Sequence, residues 1–171
     1  MKQSSGLAFK QKTFLLGSAC INEKCVEACE EGWEKHGNHC YLWSTEWKTW
    51  IAAEKFCQEQ GGHLASVASH EKLGYLQSGF ARIGVTDIWL GGNDMEKEGV
   101  WIWTDCTPWG LTFWGPGEPS NWGKIEHCLN HNGNPWNDAP CDSYKAPALL
   151  CSKKMCKGKV FSFLLSDLNI L

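Results

Sequence analysis

The sequence predicts a single α+β domain stapled by disulfides, with a long irregular loop that carries the chemistry. Three observations predict it. Apolar residues recur at helical spacing in two stretches, Thr49 to Gln60 and the segment opened by Ser69, and β-prone aromatic runs follow them. Ten cysteines are spread along 171 residues instead of standing in CxxC pairs, which is the usage of a disulfide framework. From Gly115 to Trp122 helical periodicity vanishes and Gly and Pro recur, which marks loop.

In chain order, residues 20–28 carry Cys20 and Cys25 among charged residues before any core pattern begins. Two readings stand for them: a flexible arm, or an interchain disulfide through Cys20 or Cys25 that makes a homodimer. Cys29 to Cys40, with Gly-Trp and Gly-Asn inside, reads as a small hairpin whose strand continues through Tyr41 and Trp43. Trp50, Ala53 and Phe56-Cys57 form the apolar face of the first helix, and Gly61-Gly62 stops it. Cys57 on that face is expected to be buried in a disulfide. His63 to Val67 alternates as a short strand. Ser69 caps the second helix, which carries Leu73 and Leu76, with Glu71 near its positive end. His63 and His70 are read as surface or core histidines, not ligands. Trp89-Leu90-Gly91-Gly92 and Val100-Trp101-Ile102-Trp103 are β-prone. After Cys151 the domain pattern ends, and residues 160–168 are apolar, either an amphipathic extension or sequence outside the mature protein. The divisions read as an arm at 1–28, a domain at 29–153 and a tail at 154–171.

Net charge is −3 and the isoelectric point near 6.1, so no nucleic-acid footprint is visible. Residues 29–151 hold 16 acidic and 8 basic side chains, a balance that suits a cation-binding module. No CxxC…CxxC or HExxH spacing points to zinc, and no nucleophile–base motif points to an enzyme. Disulfides persist in oxidising compartments, which places the chain outside the cell as a secreted protein. The N-terminus answers that only partly. Lys10 and Lys12 precede Thr13 to Ala19, whose unbroken apolar part is Phe14-Leu15-Leu16. Either the true start lies upstream, or this is a marginal signal cleaved near Ala19. No run approaches the ~20 apolar residues of a membrane span.

Within the loop and just beyond it, Glu118, Ser120, Glu126, Asn137 and Asp138 offer carboxylate, hydroxyl and amide oxygens within 21 residues. A hard cation such as Ca²⁺ takes six to eight oxygens of these kinds. A cysteine pair closing 128 to 141 would pin the second half of the segment. The residues therefore read as a calcium site that could also hold a sugar.

Glu118-Pro119-Ser120, then Glu126 and Cys128, then Trp136-Asn137-Asp138, resemble the sugar-binding loop of the C-type lectins. That family carries Glu-Pro-Asn or Gln-Pro-Asp, a downstream Glu, and Trp-Asn-Asp. Only Ser120 departs, standing where the family has Asn or Asp. The Cys29–Cys40 spacing, the stretch "GGHLASVASHEK" and the Trp-x-Trp at 101–103 resemble the rest of the domain, and small secreted fish lectins share the overall pattern. The resemblance implies a C-type lectin-like α+β fold: two helices, two small antiparallel sheets and a long calcium- and sugar-binding loop. It also implies three disulfides, Cys29–Cys40, Cys57–Cys151 and Cys128–Cys141, leaving the pairing of Cys20, Cys25, Cys106 and Cys156 open.

On the same resemblance, Ca²⁺ is held by Glu118, Ser120, Glu126, Asn137 and Asp138, with Pro119 cis, and two vicinal sugar hydroxyls complete its coordination. Glycoconjugates on cell or microbial surfaces are the implied partners. Asp94, Glu98 and Asn121 fall on positions of an auxiliary calcium ion, where Asn121 and His127 replace the usual acids. Glu118 keeps the mannose-type signature, whereas Trp122 falls where galactose-type members place a stacking ring. The balance leans to galactose. The competing reading is a lectin-like module without calcium-dependent sugar binding, acting on a protein or on ice.

Overall fold

The structure is a computed structural model describing residues 25–133 and 135–156. The chain begins with a hairpin, β1 (Glu34–His36) and β2 (His39–Ser44). Helix α1 (Trp50–Glu59) follows, then the short β3 (His63–Leu64) and helix α2 (His70–Ile83). Thr49 and Ser69 cap the helices, their hydroxyls accepting from the N–H groups of Ala52 at 3.3 Å and Lys72 at 3.2 Å. That pairing satisfies donors a helix start would otherwise leave open. Gly84 ends α2 at φ 70°, a left-handed position where glycine carries no Cβ penalty.

The second half runs β4 (Asp87–Asn93), β5 (Ile102–Trp103), β6 (Glu126–Asn132), β7 (Trp136–Pro140) and β8 (Leu149–Lys154). Two antiparallel ladders result. One pairs β1 and β3 with the chain's β2–β8 couple, and the other pairs β5, β4, β6 and β7. A parallel contact between Trp89 on β4 and Leu149 on β8 joins them into one mixed sheet, order β1-β2-β8-β4-β6-β7. The two small sheets expected from the sequence are thus its two halves. The strand expected over His63–Val67 is shorter. Only His63 and Leu64 stand in the ladder with β8, and beyond them Ala65, Ser66 and Val67 are all buried, so the expected alternation is absent.

The tryptophans supply the core. One cluster holds Trp101, Trp103 and Trp136, with Trp109, Phe113 and Trp114 packed against it. A second gathers Trp50 and Trp89 around the sulfurs of Cys57, Cys128 and Cys151. The indole N–H of Trp50 donates to the Leu90 carbonyl and that of Trp89 to the Lys48 carbonyl, both at 2.8 Å, so these rings are buried with their polar edge satisfied.

Cys29–Cys40, Cys57–Cys151 and Cys128–Cys141 pair as the resemblance implied. A fourth disulfide joins Cys25 to Cys156, where Val26 also bridges Met155. This corrects the expectation that Cys25 links two chains: its sulfur is committed within its own chain. Cys20 lies outside the described residues. Cys106 is disulfide-bonded as well, and none of the described cysteines is free.

Candidate functional site

The site is built on β7. Trp136 is fully buried among Phe113, Trp103, Trp109 and Trp114. Its backbone receives the start of the long loop: the Trp136 N–H donates to the Phe113 carbonyl and the Gly115 N–H to the Trp136 carbonyl, both at 2.9 Å. A Cβ on Gly115 would lie 2.7 Å from the Pro135 ring, so glycine is what lets the loop close onto the strand. Trp136 thereby fixes the adjacent Asn137 and Asp138 against the loop.

The loop then turns through the cis Glu118–Pro119 bond, the isomer the sequence reading expects. Three carboxylates meet at the next residue. The Ser120 N–H donates to Glu118 Oε2 and to Asp138 Oδ1, both at 2.9 Å, and its hydroxyl donates to Glu126 Oε2 at 3.2 Å. The Asn121 and Trp122 N–H groups add bonds of 2.7 Å to Asp138 Oδ2 and Glu126 Oε2. Asp138 is fully buried, while Ser120 is exposed and Glu118 half-buried. Burial and the neighbouring Asp138 hold the Glu118 carboxyl above its ordinary range, partly offset by the Ser120 donors. Like charges are being crowded together, which a bound cation relieves.

Asn137 is oriented from behind. Its amide nitrogen donates to Asn130 Oδ1 at 3.1 Å and to the Asp138 carbonyl, which ties down the nitrogen end of the group. Asn130 was not legible as a supporting residue, since it meets Asn137 only through the β6–β7 register. Trp122 stands beside the carboxylates at 76 % exposure, with Ile125 also exposed. Among the expected sugar-contacting residues it is the one large apolar face open to solvent. A cavity of about 200 Å³ adjoins Glu118 and Asn137, walled by Pro116, Pro135 and Trp136.

The auxiliary positions are arranged differently from the expected set. Asn121 takes a left-handed φ of 43°, its Oδ1 accepts from the Glu126 N–H at 3.1 Å, and its amide donates to Glu98. Both of its polar ends are therefore engaged. The residue that meets Asp94 and Glu98 is His127, with Nδ1 at 3.0 Å from Asp94 Oδ1 and 3.4 Å from Glu98 Oε2. His63 bonds to buried Glu54, and His70 packs edge-on to Phe113.

Residues 46–153 match the family model of the lectin C-type domain, and the chain belongs to that family of carbohydrate-binding, non-enzymatic domains. It is 30 % identical over 141 residues to the galactose-specific lectin nattectin of Thalassophryne nattereri, covering 80 % of this chain and 87 % of that one. Among solved structures it resembles the cow C-type carbohydrate-recognition domain of CD23, with TM-score 0.70, 31 % identity, and coverage of 77 % and 99 %. A calcium-independent type II antifreeze protein is also similar, with TM-score 0.67, 32 % identity, and coverage of 75 % and 96 %. Among the described residues no helix is long and apolar enough to cross a membrane.

Proposed function

We propose that this protein is a secreted, calcium-dependent lectin that binds galactose-type sugars on cell or microbial glycoconjugates through the Glu118–Asp138 site. The observation that carries the reading is the convergence of Glu118, Glu126 and Asp138 on the N–H and hydroxyl of Ser120. Three hard oxygen donors, a hydroxyl and the tethered Asn137 amide fit Ca²⁺, and the raised Glu118 carboxyl fits a site whose charge is balanced by a cation. Bound there, Ca²⁺ would supply open coordination positions for two vicinal sugar hydroxyls. The chain's own groups do the rest: the carboxylates accept hydrogen bonds from the sugar hydroxyls, and the Asn137 amide is oriented by Asn130.

Galactose is preferred over mannose because Trp122 presents an exposed ring beside the carboxylates, suited to the apolar face of that sugar. The similarity to a galactose-specific lectin supports the same choice. Glu118, the mannose-type feature, is the opposing signal. A second reading, a calcium-independent module that binds ice or protein, is favoured by the antifreeze neighbour and by Ser120. Retention on immobilised galactose in Ca²⁺, with elution by chelator, is the expected result. Flow-through in both conditions, with the protein folded, would favour the second reading.

A further inference from the structure

Asp94, Glu98 and His127 bring their ligand atoms within 4.8 Å of one another. Glu98 is exposed, but the other acid of the cluster is not. Asp94 is only 3 % exposed and is held from several sides: Gly99 N–H donates to its Oδ2 at 2.7 Å, its own N–H donates to the His127 carbonyl at 3.1 Å, and its carbonyl accepts from Lys97 at 3.0 Å. Loop 94–99 and strand β6 are therefore locked together with the imidazole aimed between two carboxylates.

A Ca²⁺ ion fits this place poorly. It requires six to eight oxygens, and an imidazole nitrogen is not among its ligands. Here two carboxylates converge on an imidazole nitrogen, and the Asn121 side chain meets Glu98 through its NH₂ group and not through its oxygen. The donors present, one nitrogen and two carboxylates, are instead those of borderline first-row divalent ions. Size agrees. Tetrahedral bonds of about 2.0–2.1 Å put neighbouring ligands about 3.3 Å apart, and Nδ1 lies 3.0 and 3.4 Å from the two carboxylate oxygens.

We propose that Asp94, Glu98 and His127 form a three-ligand site for a divalent cation of the Zn²⁺ class, with ligands distinct from those of the Glu118–Asp138 site. Positions 94, 98 and 127 follow no zinc-binding sequence spacing, and only the fold brings their ligand atoms together. Asn121 connects the two places, donating to Glu98 and Asp138 and accepting from the Glu126 N–H.

The test is calorimetry of the intact protein, stripped of metal, titrated with Zn²⁺ in excess Ca²⁺. One equivalent should bind. His127→Gln, which keeps a side-chain N–H toward Asp94, should weaken Zn²⁺ by roughly 10–100-fold or more, at least the loss typical of disturbing a metal ligand's surroundings. His127→Asp should lose Zn²⁺ and gain a second Ca²⁺. Glu118→Gln should lose Ca²⁺ and sugar but retain Zn²⁺, which separates a failure here from a failure of the lectin reading. On the unmutated chain, Co²⁺ should give the intense visible bands of a four-coordinate nitrogen–oxygen site. Absence of Zn²⁺ binding, an unchanged affinity in His127→Gln, or a weak six-coordinate Co²⁺ spectrum would each overturn the proposal.

Discussion

Ser120 is the one residue that departs from the loop pattern, yet it sits at the meeting point of Glu118, Glu126 and Asp138. Its N–H makes the shorter contacts, and any amino acid there except proline keeps that N–H. Its hydroxyl is shorter than an Asn amide and offers no NH₂ to a sugar. One hydrogen bond is worth roughly 0.5–1.5 kcal/mol, so Ser120→Asn should tighten Ca²⁺ by up to about tenfold and strengthen mannose-type binding. Trp122→Ala should weaken galactose and leave Ca²⁺ affinity unchanged, since only its backbone N–H meets Glu126. Calorimetry with the metal and with each sugar reads the two effects apart. An unchanged Ca²⁺ affinity in Ser120→Asn would move the site elsewhere.

Strand β6 carries both site residues and a core histidine. His131 is fully buried and packs edge-on to Phe80, and among the described residues neither ring nitrogen has a hydrogen-bond partner. Burial lowers its pKa from 6.5 to about 4. The unfolded chain takes up a proton near pH 6.5 and the folded chain only near 4, so stability is complete above 6.5 and falls as pH drops through that window. The loss amounts to about 3 kcal/mol by linkage. His131→Phe should flatten the acid limb, which urea midpoints at several pH values would measure. Helix α2 offers a second check. A Cβ on Gly79 would lie 2.1 Å from the Trp43 ring, which is held by Tyr75 and flanked by Arg82. Overpacking costs about 1–3 kcal/mol, more than the roughly 1 kcal/mol that alanine adds to a helix. Gly79→Ala should therefore lower the melting temperature.

Across the whole molecule, the disulfides stabilise the fold, and on the proposed function Ca²⁺ adds to them. Ca²⁺ that binds only the folded chain adds about 2.7 kcal/mol at a hundredfold excess over Kd. The melting temperature should rise with Ca²⁺ and fall with chelator, and a flat response at millimolar Ca²⁺ would refute a calcium site. Cys57–Cys151 joins α1 to β8 across 94 residues. Closing such a loop is worth about 4–5 kcal/mol in the chain-entropy account. Cys57→Ala with Cys151→Ala should cost about that much, more than the Cys128–Cys141 pair, which spans 13 residues and mainly steadies the strands beneath the site. With Cys25 committed to Cys156 and Cys106 also disulfide-bonded, non-reducing gels should show a monomer, and a dimer band lost on reduction would overturn that expectation.

Local chemistry wrote the helices, the Ser69 cap, the hairpin and the loop's oxygen donors into the sequence, because each depends on residues a few positions apart. The resemblance extended this to three disulfides and the cis Pro119. What depended on residues far apart in sequence had to await the fold. Asn130 reaches Asn137 through strand register, Cys25 reaches Cys156 because both ends of the domain meet beside β8, and the two sheets become one at Trp89 and Leu149. Most telling is His127, which in sequence only occupies an acid's position. The β4–β6 pairing and the 94–99 turn set its nitrogen between two carboxylates, and that three-dimensional placement changes the chemistry the cluster can perform.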